Sequence, residues 1–305
     1  MIDYRKVTGT RNLRRWVLST LSWLPDKLLV SFQYFLQTGK RLHLKNPVLF
    51  NEKLQAYKLL YHNPIMLSCT DKISVRDFVK EKGLENILIP IYFIKQKPED
   101  IIWEELPTEF VIKTSDGGGG NEVIVCRNKN LLDRKLFYKT IKKWMKAPRP
   151  KKHIAREWAY QNKKPRRIII EKLLSDKENP DKGIRDYKFF CFSGKFKYLW
   201  VDINRYSSHQ RGFWNSEFQF MQEVSCDYPT FENPIRLPEN IMRMKEIAEK
   251  LSEDFPFVRV DLYNVNGKIY FGELTFYPNS GYKPYYPVSF EKELGNLLPM
   301  SLIRE

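Results

Sequence analysis

The chain has 305 residues, with 52 Lys and Arg against 36 Asp and Glu, giving a formal net charge of +16. With 42% hydrophobic and 14% aromatic residues it can build packed cores, which excludes a disordered or fibrous polymer and suggests roughly two domains. Four widely spaced cysteines (Cys69, Cys126, Cys191 and Cys226) form no CxxC pair, so they read as reduced thiols in a cytosolic protein, not as a zinc knuckle or disulfide framework. The N-terminus lacks the order of a signal peptide. The longest uncharged stretch, Leu28 to Gly39, falls far short of the roughly 20 residues that span a bilayer.

From Arg11 to Leu24 the residues Leu13, Trp16, Val17, Leu21 and Leu24 recur at helical spacing. Pro25-Asp26 opens a second helical run through Leu28, Leu29, Phe32 and Phe35. The ordinary reading packs both short helices on the domain; the other docks them on an anionic leaflet. Asn51 to Leu60 and Lys72 to Lys82 read as helices, the latter capped by Asp71 and ended by Gly83. Ile87 to Ile94, interrupted by Pro90, reads as an edge strand. Strands follow at Phe110 to Lys113 and Val123 to Cys126, then a basic helical stretch over 131–160 broken by Pro148 and Pro150. Further strands are predicted at Arg167 to Lys172, Tyr187 to Phe192, Phe196 to Asp202, Phe257 to Tyr263 and Lys268 to Leu274, with a helix from Pro238 to Leu251. Strands and helices mix without βαβ alternation, so the expected class is α+β.

The charge excess is local. Residues 1–60 hold 11 basic and 3 acidic residues, and residues 134–170 hold 14 basic residues and one acid, Glu157. The second block interleaves Phe137, Tyr138, Trp144, Trp158 and Tyr160, which would stack bases in a nucleic-acid-binding protein. At helical spacing these aromatics more often pack a small lid domain, and no nucleic-acid partner is expected.

Three constellations carry chemistry. The first is Lys113-Thr-Ser-Asp-Gly-Gly-Gly-Gly-Asn121, lying between two strands. Its glycines uncover backbone amides as a phosphate-cradling loop requires, and Lys113 supplies positive charge. A Walker A loop or a dinucleotide fingerprint would lead into a helix, so this is either a glycine hairpin over a nucleotide or a surface hairpin. The second runs Phe257-Val-Arg259-Val-Asp261 to Lys268-Ile-Tyr-Phe-Gly-Glu273-Leu-Thr275. A three-residue loop with Gly267 in the left-handed position pairs Asn264 with Lys268 and sets Arg259 opposite Glu273, with Asp261 a diagonal step away on the same face. That arrangement suits Mg²⁺; a two-residue Asn-Gly turn would put the carboxylates on opposite faces. The third is Ile168-Ile-Ile-Glu171-Lys172-Leu173-Leu174, followed by Asp186, which would offer backbone groups to an adenine edge and a carboxylate to a ribose, or would be a solvated strand end. The four histidines, His43, His62, His153 and His209, show no spacing of a catalytic cluster.

Taken in order, Asp71-Lys72, Lys113 with its glycine hairpin, Glu171-Lys-Leu-Leu, Asp186, Arg259-x-Asp261 and Glu273-x-Thr275 resemble the ATP-grasp fold of D-alanine:D-alanine ligases over roughly residues 70–281. The phrases Asn46-Pro-Val-Leu-Phe-Asn-Glu-Lys53, Asp186-Tyr-Lys-Phe-Phe-Cys-Phe-Ser-Gly194 and Phe271-Gly-Glu-Leu-Thr-Phe-Tyr-Pro-Asn-Ser-Gly281 look like the TupA-like branch, named for teichuronopeptide synthesis and found among enzymes of bacterial surface polysaccharides. The resemblance implies two α+β subdomains clasping ATP, preceded by a basic helical region. The expected divisions are 1–45 (basic helical region), 46–107 (N-terminal subdomain), 108–170 (lid) and 171–305 (C-terminal subdomain with the metal site).

By the same resemblance Lys72 and Lys113 hold the phosphates under a loop of Ser115, Gly117, Gly118, Gly119, Gly120 and Asn121. Glu171, Lys172, Leu173 and Leu174 line the adenine pocket, and Asp186 meets the ribose. Asp261, Glu273 and Thr275 ligate Mg²⁺, with Arg259 and Lys113 catalytic. Thr275 stands where the ligases carry Asn, and Asn279 is the nearby amide that would compensate. The implied reaction activates a carboxylate through an acyl phosphate for attack by an amine. The expected acceptor is an acidic sugar or lipid-linked glycan, with an amino acid or amine as co-substrate; Arg205, His209, Arg211 and Trp214, in a polar and aromatic segment after a strand, would grip the acceptor or equally form a structural loop. The N-terminal basic block would hold the enzyme near anionic lipids, and the 134–170 block would attract ATP and an acidic glycan. A glycosyltransferase of the same pathway is the rival, but the chain has no DxD triplet.

Overall fold

The computed structural model describes residues 21, 23–118, 120, 122–147, 155–161, 164–175, 183–204 and 208–304. The helix expected from Arg11 to Leu24 lies almost wholly outside these residues, as do Gly119, Asn121, Arg205 and the 148–154 part of the basic stretch. The described elements in order are α1 (Asp26–Thr38), α2 (Phe50–Leu60), α3 (Ile65–Cys69), α4 (Val75–Glu81), β1 (Ile91–Lys95), β2 (Phe110–Thr114), β3 (Val123–Cys126), α5 (Arg134–Lys146), β4 (Ile168–Glu171), β5 (Asp186–Phe192), β6 (Lys195–Ile203), β7 (Gln210–Trp214), α6 (Ile241–Ser252), β8 (Phe257–Val265), β9 (Lys268–Thr275), α7 (Val288–Asn296) and α8 (Ser301–Arg304).

The strands form two antiparallel sheets, one of four in the order β1-β4-β2-β3 and one of five in the order β7-β6-β5-β8-β9. The α+β expectation therefore holds. Because β1 precedes residue 107 and pairs with β4, the smaller sheet spans the division expected there. Its core is Phe110, Ile112, Ile124, Ile168 and Ile170 under Phe137 and Ile141 of α5. Phe137 belongs to this cluster, and Tyr138 and Trp144 pack against it.

In the larger sheet alternation sorts the strands into two chemically distinct faces. Phe189, Cys191, Leu199, Val258 and Val260 are buried on the side covered by α6. The other face carries Asp186, Lys188, Trp200, Asp202, Arg211, Arg259, Asp261, Glu273 and Thr275, brought side by side by the register. β7 is a strand where a polar loop was expected. All four cysteines are free and buried. Among the described residues no helix is long and apolar enough to cross a membrane.

Helix α2 is buried almost to its polar residues, because these bind backbone and not solvent. Glu52 caps it by accepting from the N–H groups of Val48 (2.9 Å) and Leu49 (3.1 Å). Lys53 Nζ donates to Gly295 O at 2.6 Å. Gln55 Nε2 donates to Ser280 O (3.1 Å) and Gly281 O (2.7 Å), and Lys58 Nζ donates to Ser280 O (2.7 Å). These bonds clamp the turn Pro278–Gly281, where Asn279 and Ser280 hold positive φ of 50° and 54°, just beyond the end of β9.

Candidate active site

The hairpin of β8 and β9 reaches its geometry by a route other than the expected one. Val265 pairs with Lys268 across a two-residue turn, with Asn266 and Gly267 at φ 51° and 77°. Continued unbroken, that register would separate the carboxylates onto opposite faces. A bulge corrects it: Leu262 pairs with Phe271, but Asp261 pairs with Glu273, leaving Gly272 as the extra residue. A Cβ at Gly272 would lie 2.8 Å from Asp261 O, so only glycine fits the bulge. Asp261 therefore stands opposite Glu273, and Arg259 opposite Thr275 and not Glu273.

On this face Arg259 grips Asp261 with both arms of its fork, Nε to Oδ1 and Nη2 to Oδ2, each at 2.7 Å. Nη2 also donates to Thr275 Oγ1 at 3.0 Å and lies 3.7 Å from Glu273 Oε1. Burial works against the Arg259 charge, but the Asp261 carboxylate prevails and raises its pKa further. Thr275 Oγ1 donates to Glu273 Oε1 at 3.1 Å. Asn279 donates to Cys226 Sγ at 3.8 Å.

Lys188 is a site residue that sequence reasoning missed. Its Nζ bridges Asp186 Oδ2 at 2.5 Å and Asp261 Oδ2 at 2.7 Å, and all three side chains are buried. The available signal was its spacing two residues beyond Asp186 on the same strand face.

The smaller sheet contributes Lys113 at the end of β2, whose Nζ meets Glu171 Oε1 of β4 at 2.5 Å. Glu171 is thus held in an ion pair. Lys172 is exposed, with its N–H bound to Pro90 O at 2.9 Å, and Leu174 packs with Ile89, Val265 and Tyr270. Ser115 is buried, its N–H donating to Arg167 O at 2.8 Å and its Oγ accepting from Arg167 N–H at 3.2 Å. A Cβ at Gly117 would lie 2.6 Å from Thr114 Oγ1, so the hairpin needs glycine there, whereas Gly118 faces open space. Asp116 is held by Arg166 at 2.8 Å.

Lys72 is bound to the glycine hairpin. Its N–H donates to Ser115 O at 2.9 Å, and its Nζ donates to Gly117 O. Burial lowers its pKa, and the charge of Lys113 lowers it further, while Glu273, Asp116 and Asp71 act in the opposite direction. Lys72 thus sits within electrostatic range of both Lys113 on the smaller sheet and Glu273 on the larger. The Asp71 side chain accepts from the N–H groups of Ile73 (3.1 Å) and Ser74 (2.9 Å), fixing the turn that carries Lys72.

The residues expected to grip an acceptor are differently disposed. Trp214 is buried in the core with Phe220 and Phe231. Arg211 is buried, donating from Nε to Asp202 Oδ1 at 2.7 Å and from Nη2 to Asp202 Oδ2 at 3.2 Å. Its guanidinium also meets Asp227 and stacks 3.5 Å from the Trp200 ring. His209 Nε2 lies 3.0 Å from Asp202. Burial pushes the Asp202 pKa up, but the hydrogen bond from His209 and the charge of Arg211 hold it well below the usual range.

Glu273 is the carboxylate open to a hard divalent ion shared with phosphate oxygens, whereas Asp261 is buried with both oxygens held by Arg259 and Lys188. Glu273 is largely exposed, only distantly approached by Arg259, and directly across the strand pair from a second carboxylate. Among the described residues no group of three or more Asp, Glu, His and Cys that could hold a metal ion is found.

Solved structures similar to this chain include D-alanine–D-alanine ligase from Bacillus anthracis, at 19% identity and TM-score 0.42, covering 69% of this chain and 59% of that one. The same enzyme complexed with ATP gives 16% identity and TM-score 0.45, covering 78% and 66%. L-amino acid ligase from Bacillus licheniformis gives 14% identity and TM-score 0.41, covering 82% and 51%. The chain thus spans less than two thirds of the length of each. A search of curated proteins finds no match. The sequence model of TupA-like ATPgrasp proteins matches residues 52–299, so the chain belongs to the TupA-like ATP-grasp family.

Proposed function

We propose that the protein is an ATP-dependent carboxylate-amine ligase that joins an amino acid or other amine to a uronic acid of a bacterial surface polysaccharide or its precursor, in the cytoplasm. The observation that supports this most directly is the junction at Lys72. Lys72, bound to the glycine hairpin through Ser115 O and Gly117 O, feels the charges of Lys113 on the smaller sheet and of Glu273 on the larger, where Glu273 stands across from Asp261 and 3.7 Å from Arg259.

In this reading Lys72, Lys113 and the amides of the 115–121 loop hold the phosphates of ATP, while the strand end from Glu171 to Leu174 borders the adenine and Asp186 the ribose. Mg²⁺, held by Glu273 opposite Asp261 and with Thr275 alongside, would neutralise charge on the phosphates. A substrate carboxylate oxygen attacks the γ-phosphorus and ADP leaves, giving an acyl phosphate. The amine nitrogen then attacks the acyl carbon, phosphate leaves, and the amine gives up a proton. Arg259, fixed by its two bonds to Asp261, carries a permanent charge aimed at the transferred group in both steps. Within the acceptor region, His209 is the side chain that retains some exposure, and Arg211 and Asp202 would position it. The test is ADP release against a panel of uronic acids and amino acids. A pair that stimulates ADP release, with the rate lost in Lys113→Ala and Glu273→Ala, is expected; turnover unaffected by either substitution contradicts the site.

A further inference from the structure

Helix α1 does not bury the face its sequence suggested. Of Leu28, Leu29, Phe32 and Phe35, only Leu29 is buried, and the helix docks through Leu29, Val30, Gln33 and Tyr34. Leu28, Phe32, Phe35 and Leu36 lie outward at 60%, 41%, 55% and 53% exposure, and Trp23 just before the helix at 76%. At helical pitch these four positions form one stripe about 100° wide, opposite the docked face. Lys27 in the first turn and Lys40, Arg41 and Lys45 just beyond the helix end are all exposed, and no ion pair involves them among the described residues. The acids of the segment are engaged: Asp26 meets Arg156 Nε at 2.8 Å, and Glu52 meets His43 Nδ1 at 2.8 Å. Residues 1–20 add Arg5, Lys6, Arg11, Arg14 and Arg15 against a single acid, Asp3.

We propose that this outer face of α1 seats the protein on an anionic membrane surface, with the apolar stripe in the headgroup boundary and the lysines and arginines against lipid phosphates. A protein partner would be expected to present carboxylates to these basic residues as well as an apolar groove; the combination of aromatic and aliphatic stripe, Trp anchor and exposed basic residues at both ends of the helix matches an anionic bilayer by itself. The seat is mechanically close to the candidate site. Gln33 on the docked face accepts from Tyr282 Oη at 2.8 Å, and Tyr282 directly follows the turn Pro278–Gly281 beyond β9. If the ligase reading holds, a membrane-seated α1 holds that turn about one helix diameter from the bilayer, so the acceptor is lipid-linked and not a free sugar; this consequence alone rests on that reading.

The test is flotation of the full chain with phosphatidylcholine vesicles, with and without about one third phosphatidylglycerol. Binding is expected on the anionic vesicles, weakened roughly tenfold or more in Phe32→Ser/Phe35→Ser and made less salt-dependent in Lys40→Glu/Arg41→Glu. Unchanged MgATP affinity in both variants shows that they remain folded. No binding by the native chain, or equal binding by both variants, overturns the proposal. So does a dimer in light scattering that Phe32→Ser/Phe35→Ser converts to monomer, since a second copy would then occupy the face. Vesicle binding without any carboxylate-dependent ADP release leaves the membrane seat standing and contradicts the ligase reading instead.

Discussion

Replacing Gly272 with alanine places a Cβ 2.8 Å from the Asp261 carbonyl oxygen and 3.3 Å from both its carbonyl carbon and Tyr263 Cε2. The oxygen belongs to β8, which is held between β5 and β9, so it cannot rotate away as a side-chain end would. The bulge must open or the register must slip. Overpacking of this kind costs about 1–3 kcal/mol, a fall in melting temperature of roughly 2–5 °C for a chain of this size. The functional effect should exceed the loss of stability, because Glu273 is the next residue and a misplacement of about 1 Å in a reacting constellation can cost on the order of 100-fold. Gly267→Ala is the comparison: φ there is +77° with open space around the Cβ, so it strains the turn by about 1 kcal/mol without displacing the carboxylates. Measured by Mg²⁺ dependence of ATP binding in calorimetry, Gly272→Ala should raise half-saturation at least tenfold, with Gly267→Ala close to the native protein. Native Mg²⁺ dependence in Gly272→Ala would refute the claim that the bulge is what brings the two carboxylates together.

Lys188→Met should lower the melting temperature by roughly 5 °C, since it leaves Asp186 buried without its cation at a cost of about 3 kcal/mol; Lys188→Met/Asp186→Asn should recover most of that loss. Arg259→Lys loses the two-armed grip on Asp261 and should lower kcat on the order of 100-fold with ATP affinity nearly unchanged, as read from steady-state kinetics beside calorimetry. Asp202 contributes stability that is fully present above the ordinary aspartate value of 3.8 and is lost as pH falls through its depressed folded value. Melting curves below pH 4 should therefore fall less steeply in Asp202→Asn than in the native chain, from a lower starting stability; parallel acid limbs would contradict the role given to His209 and Arg211.

The sequence carried the order of the elements and the identity of most polar residues on the larger sheet, because alternation and the glycine hairpin are local signals. It did not carry register. The three-residue turn expected at Gly267, with Gly272 taken as an ordinary strand residue and no bulge, gave the right shared face with the wrong partners. Strand β7 was hidden because Arg211 and Gly212 look like loop residues, yet Arg211 is neutralised by Asp202 and Asp227 and stacked on Trp200. Lys188 was passed over because a lysine inside an apolar strand signals nothing until Asp261, 73 residues away, is placed beside it. In α1 both faces are apolar, so periodicity alone favoured the wrong one for burial.

The most direct test of the central claim labels both oxygens of a stimulating carboxylate substrate with ¹⁸O and follows the label into products by mass spectrometry. Transfer of one ¹⁸O into inorganic phosphate, with ADP as the nucleotide product and an amide formed, is the expected result. Unlabelled phosphate, or release of AMP and pyrophosphate, would contradict an acyl phosphate formed at the junction of Lys72, Lys113, Asp261 and Glu273.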